Sequence, residues 1–443
     1  MADLLSISAN QWAGIDGNWS TFALKIGTPP QSVHALLSWS SHQTWAVTPD
    51  GCSAAAAVDR EFCQADRGGL FDAADSQTWN RVGVDELTLP PLGLTGNAVF
   101  GTDVVSLGDD IAVPITVNDS VIGGIAADDI YLSVMGLAPD STDFPTQQAR
   151  PSFLTQLKND GYIPGLSLGY TAGAAYRFAG ELGSLTLGGY DASHLNDTTR
   201  LSFPWGSDPA RPVLATVQAI RTPSTVSASP AATELLPSAI SAYLDARVAE
   251  LWLPLDACRV FESEFGLEYD DESELYLVSD TQHETLRSRN ASVTFLLARS
   301  STADDSVAVE LPYAAFDIVA RPPYRQLSQS SRYFPLRRAQ NESQYTLGRV
   351  FFQEAYLAVD FEAQTFDVAP RVWRESYIPD LIAMPPAGRD ATIGKFTSPA
   401  SSSSLHRGAI AGIVVAALLS TSLTILLLFF LRRRRRRRPT SQP

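Results

Sequence analysis

A chain of 443 residues is long for one compact core and points to two lobes or two domains. Apolar residues at 45% and aromatics at 9% are ordinary for a folded globule, which excludes a disordered body. The net charge of -15 hides an asymmetry: seven basic residues form one block, Arg432 to Arg438, leaving 26 basic against 48 acidic residues, a net -22, elsewhere. A body that acidic excludes nucleic-acid binding, which needs Lys and Arg clustered on the folded surface.

The N-terminal MADLLSISANQW has no basic region and no long apolar stretch, so no cleavable signal peptide is readable there. Residues 11 to about 135 read as short β segments between Gly, Pro and Asn turns: FALKIG, VHALLSW, QTWAV, ELTL, AVFG, IAVPITV and IYLSVMG. Cys52 and Cys63 flank the short loop SAAAAVDREF and are placed to close it as a disulfide in an oxidising compartment; the alternative is three reduced thiols, Cys258 among them. No metal-ligand spacing exists and the five His are scattered, so neither a metal nor a cofactor is expected. Helices are few. PSFLTQLKNDG, 151 to 161, carries Ser152 as N-cap and Gly161 as stop, and PLDACRVFESEFG, 254 to 266, sets apolar residues at helical spacing before Gly266.

The chain repeats itself. ALLSWSSHQTW is followed, 98 residues after Ser38, by Gly136 in SVMGLAPD; AYLDARVAELW is followed, 103 residues after Asp245, by Gly348 in YTLGRVFF. A strand, a turn, a Trp and a later apolar-Gly element in each half predict a two-lobed, pseudo-symmetric molecule with a cleft between the turns.

Beyond residue 373 the β pattern gives way to PPAGRD and TSPASSSSL, read as a Ser/Pro-rich stalk over 374–407. Gly408 to Leu431 is 24 residues without a charge, enough at about 1.5 Å each to cross a bilayer core of roughly 30 Å. It is apolar all round, unlike a buried helix of a soluble domain. The Arg block follows at once, so the positive-inside rule puts residues 432–443 in the cytosol as a basic tail and the preceding body on the other face. The expected topology is single-pass type I, with an extracellular or lumenal body. The arginines fit contact with anionic lipid or a simple stop-transfer role. Met1 is then expected to lie within a longer precursor whose signal sequence precedes it; an in-frame stop codon just upstream would exclude this. Five of the nine Asn open an N-x-S/T triplet: Asn18, Asn118, Asn196, Asn290 and Asn341. Chance gives roughly one or two, so glycosylation is expected.

Across residues 11 to 370 the chain resembles the pepsin-like aspartic proteases, and more narrowly a fungal, membrane-anchored branch with degenerate catalytic motifs. DGNWSTFALKIGTPPQSVHALLS, RGGLFDAADSQTW, GSLTLGGYD and YTLGRVFFQEAYLAVDFE carry the resemblance, in the family's order. It implies a mainly β, bilobal pepsin-like fold with an N-terminal lobe over 11–200 and a C-terminal lobe over 201–373, followed by the transmembrane helix over 408–431. It also implies two D-T/S-G turns whose carboxylates share a proton, one acting as base on a water and the other as acid on the substrate carbonyl.

The retained acid is Asp245, seven residues before Trp252; the matching position seven before Trp45 is Ser38. The residues after them depart too: Trp39 and Ser40 in one turn, Ala246 and Arg247 in the other, while the flap tyrosine's place falls near Pro91. Arg247 favours an ionised Asp245, opposite to what a proton-sharing acid requires. Ser38, His42 and Asp245 also spell a serine triad, but no oxyanion element is recognisable, and the plainer reading is a small filler at Ser38 and a surface His42. The expected function is a catalytically impaired, monomeric binding ectodomain for a peptide, protein or cell-wall ligand; the alternative is an active aspartic endopeptidase with an atypical Ser38/Asp245 pair.

Overall fold

The apolar runs of the first half are continuous rather than alternating where strands lie inside a sheet with both faces covered. In the computed structural model, which describes residues 4–384 apart from 54–59, 90, 91, 93, 108–114, 145–147 and 224–231, they become β1 (Gln31–Ser38), β2 (Thr44–Val47), β3 (Asn80–Leu89), β4 (Leu94–Leu107), β5 (Ile115–Ile125) and β6 (Ser133–Gly136) of one eight-stranded sheet. At its centre β1 runs parallel to β6, with Ser38 opposite Gly136, while β2 lies antiparallel to β6 through Trp45 and Val134 and parallel to β5.

The second half repeats this arrangement. Strand β7 (Ile240–Leu244) pairs parallel with β10 (Thr346–Leu347); β8 (Leu251–Leu253) lies antiparallel to β10 through Trp252 and Thr346, and parallel to β9 (Leu336–Arg338). The two glycines of the sequence repeat have the same steric cause. A Cβ on Gly136 would lie 2.2 Å from the Gln43 carbonyl oxygen, and one on Gly348 would lie 2.4 Å from that of Glu250. In each half a backbone crosses so closely over the turn that only glycine fits.

A six-stranded sheet joins the halves. Its central pair sets Ser167–Ala174 against Ala355–Asp360 in antiparallel register, Leu168 opposite Val359, so strands from either side of residue 200 share one ladder. One continuous apolar core runs through both halves. The helix Phe153–Asn159 is capped by Ser152, which accepts from Thr155 N, and Gly161 follows at φ +78. Leu255–Phe265 ends on Gly266 in the left-handed region. A further helix, Asp280–Arg289, has only Leu286 buried, so it carries no apolar stripe for a sequence pattern to detect.

Cys52 and Cys63 form a disulfide, and Cys258 is free and buried. All five sequon asparagines are exposed. The stalk expected over 374–407 does not begin at 374, because the chain stays docked through 384. Leu381–Ala383 pairs antiparallel with Gly189–Asp191, Tyr377 donates to the Val372 carbonyl, and its ring stands 4.2 Å from that of His194. Arg371, stacked on Trp373 at 3.9 Å, anchors the start of this segment. Residues 385–407, the apolar stretch 408–431 and the basic tail 432–443 lie outside the described residues; among those described, no helix is long and apolar enough to cross a membrane.

Candidate functional site

Ser38 ends β1 with its side chain 1% exposed. Its Oγ accepts from the backbone amides of Ser40 at 3.3 Å and Ser41 at 3.0 Å, so the hydroxyl closes its own turn. Trp39 points into the core, where its ring centroid lies 5.5 Å from Tyr170 and 5.2 Å from Phe352. Its Nε1 donates to the Leu244 carbonyl at 2.9 Å. The two repeated turns therefore meet through an indole and a carbonyl of the residue before Asp245.

Asp245 follows β7 and is 2% exposed. Arg247 grips it: Nε lies 3.0 and 3.1 Å from the two carboxylate oxygens, Nη2 lies 2.6 Å from Oδ2, and the Arg247 backbone amide lies 3.0 Å from Oδ1. Arg211, stacked on Tyr243, adds a second guanidinium at 3.8 Å. Burial by itself raises the Asp245 pKa, but the charge and hydrogen bonds of Arg247, with the charge of Arg211, outweigh it and hold the carboxyl below the usual range. Such a group is a fixed anion.

Among the described residues no hydrogen bond joins Ser38 to His42 or Asp245. Burial lowers the pKa of His42 against the opposing pull of Asp140 and Asp143. Ser38 and His42 thus lack the nucleophile-to-base contact that a triad requires.

The open space lies to one side of these turns. A cavity of about 790 Å³ is lined by Leu36 and Trp45 of the first half and by Val248, Glu250, Trp252 and Arg349 of the second, and neither Ser38 nor Asp245 is part of its wall. Pro91, at the flap tyrosine's place, lies outside the described residues, but its neighbour Leu92 is buried against Val248 and Trp252. The wall holds an ionic cluster that the expected site residues do not include. Arg349 bonds the Asp16 carboxylate and gives Nη1 to the carbonyls of Ala246 and Arg247, each at 2.9 Å; Tyr324 donates to Glu250, which also receives Trp252 Nε1 at 3.4 Å. The Asp16 pKa is raised, first by burial and further by the like charge of Glu250, against the opposing charge of Arg349.

Two signals for this cluster do exist in the sequence. Arg349 directly follows Gly348 inside the apolar run YTLGRVFF, where a charge needs a buried partner. Glu250 sits two residues before Trp252 in the second repeat, within its strand-leading turn. What brings Asp16 to them, from the far end of the chain, is the tertiary fold alone.

No protein-family model and no curated protein sequence matches the chain. Among solved structures it is similar to the aspartic proteinase from Irpex lacteus, at 16% identity and a TM-score of 0.53, over 83% of this chain and 98% of that one. At that identity the likeness concerns the fold, which is the pepsin-like aspartic proteinase fold.

Proposed function

We propose that this chain is a membrane-tethered, glycosylated ectodomain that has given up peptide hydrolysis and uses its cavity to bind a peptide, protein or wall component. The observation that carries the reading is the state of Asp245. Its carboxylate is committed to Arg247 and Arg211, is shut away from the cavity, and faces a repeat whose matching residue is a serine bonded to its own turn. A proton-sharing pair needs one neutral and one ionised carboxyl. Losing the acid-base partner alone costs about 10²- to 10⁴-fold in rate.

Tethering is supported by the uncharged run 408–431 ahead of the Arg block, and glycosylation by the exposure of Asn18, Asn118, Asn196, Asn290 and Asn341. The test is incubation with denatured protein between about pH 3 and 6, the range spanning ordinary carboxylate titration, with and without a pepsin-type transition-state inhibitor. The expected result is no inhibitor-sensitive cleavage. Cleavage abolished by Asp245→Asn would establish instead an active aspartic endopeptidase with an atypical Ser38/Asp245 site.

A further inference from the structure

Three side chains on the cavity wall keep an N–H with no acceptor: Trp45 Nε1, Arg337 Nη1 and Arg349 Nε. Trp45 and Arg349 are less than a tenth exposed, and buried donors are normally paired. Carboxylates of the wall already hold donors: Glu250 takes Tyr324 and Trp252, Asp16 takes Arg349 and Trp19, and Glu274 takes Arg337 Nη2. Among the described residues the unpartnered atoms of the wall are one-sided: N–H donors from both halves of the repeat, and no buried side-chain oxygen that lacks a donor.

We propose that this cavity takes a carboxylate carried on an apolar or aromatic body, an inference that rests on reading the cavity as a binding site. A surplus of donors selects an acceptor, and with two guanidinium groups among the three, an ionised oxygen makes the stronger, charge-assisted bond. An amine would bring further donors to donors. A dianion such as phosphate would meet the carboxylates of Asp16 and Glu250, so a single negative charge suits the wall better. The body of the ligand is set by the apolar neighbours: Leu36, Leu92 and Val248 lie on the same wall, and the Arg337 guanidinium rests 4.3 Å from the Trp252 ring centre, which puts a charged donor beside an apolar face. The volume of about 790 Å³ lies within the roughly 300–1,000 Å³ of small-ligand sites.

A free small acid and the acidic side chain of a peptide share this chemistry, and calorimetric titration of the full chain in detergent separates them. One arm compares 4-phenylbutyrate with 4-phenylbutyramide; the other compares a blocked Phe-Glu-Phe tripeptide with its Phe-Gln-Phe counterpart. In at least one pair the acid is expected to bind about tenfold or more tighter than its amide, as a hydrogen bond to a charged group allows. The pair that shows the preference identifies the source. Trp45→Phe and Arg337→Gln are each expected to weaken the acid about tenfold and the amide by a smaller factor, so that the acid-over-amide preference falls; should Trp45→Phe disturb folding, Arg337→Gln carries the test. Equal binding of acid and amide in both pairs, or no binding of either acid, overturns the carboxylate inference. Cleavage of the tripeptides would overturn the loss of hydrolysis instead, which keeps the two failures apart.

Discussion

Replacing Arg247 by Met reverses the electrostatic logic of Asp245, and the reversal is measurable. In the wild type, burial is the largest influence on the Asp245 carboxyl and raises its pKa; the charge and hydrogen bonds of Arg247 come next, and the charge of Arg211 at 3.8 Å is smaller. Removing Arg247 takes away three side-chain contacts of 2.6 to 3.1 Å and leaves burial opposed chiefly by Arg211. Breaking one partner of a buried ion pair costs about 3–5 kcal/mol.

The pH dependence changes sign as well. A carboxyl whose folded pKa lies below its unfolded value of about 3.9 contributes stability above that pH, and the contribution is lost as pH falls through the folded pKa. Once burial dominates, the folded pKa lies above the unfolded one, so the variant is expected to gain stability as pH falls from neutrality toward about 4. Urea unfolding of the full chain in detergent, followed by Trp fluorescence at several pH values, reads both effects. Asp245→Asn combined with Arg247→Met is expected to recover at least about 2 kcal/mol of the sum of the single losses, because it removes both charges together. A loss under about 1 kcal/mol for Arg247→Met, or an unchanged sign of the pH slope, would refute the account of Asp245 as a fixed, ion-paired anion.

Two further outcomes follow from the repeated turns. Gly136→Ala and Gly348→Ala should each destabilise by about 1–3 kcal/mol or more, since both insert a methyl group against a carbonyl oxygen that belongs to backbone; thermal melting that moved for only one of them would break the equivalence of the two halves. Trp39→Phe leaves the Leu244 carbonyl without its 2.9 Å donor and opens space beside Tyr170 and Phe352, for an expected loss of about 2–4 kcal/mol by denaturant titration. An unaltered midpoint would mean that the indole does not bind the halves together.

The sequence by itself determined the mainly β character, the two-fold repeat and the turns at its centre, because these rest on local signals: apolar runs bounded by Gly and Pro, a Trp seven residues after Ser38 and after Asp245, and a glycine where backbone must pass over backbone. It also placed Arg247 beside Asp245, since two residues of separation within a turn leave little freedom. The helix Asp280–Arg289 escaped it because only Leu286 among its residues is buried, and the docked segment 374–384 escaped it because its hold is a set of long-range contacts to Asp191 and His194. Only the tertiary structure decided where the open space lies. The cavity is displaced from Ser38 and Asp245 onto a wall that joins Asp16, Glu250, Tyr324 and Arg349, residues up to 333 positions apart in the chain. No sequence period records a contact of that span, because it depends on how the sheets of the two halves pack against each other and not on any local preference of the chain.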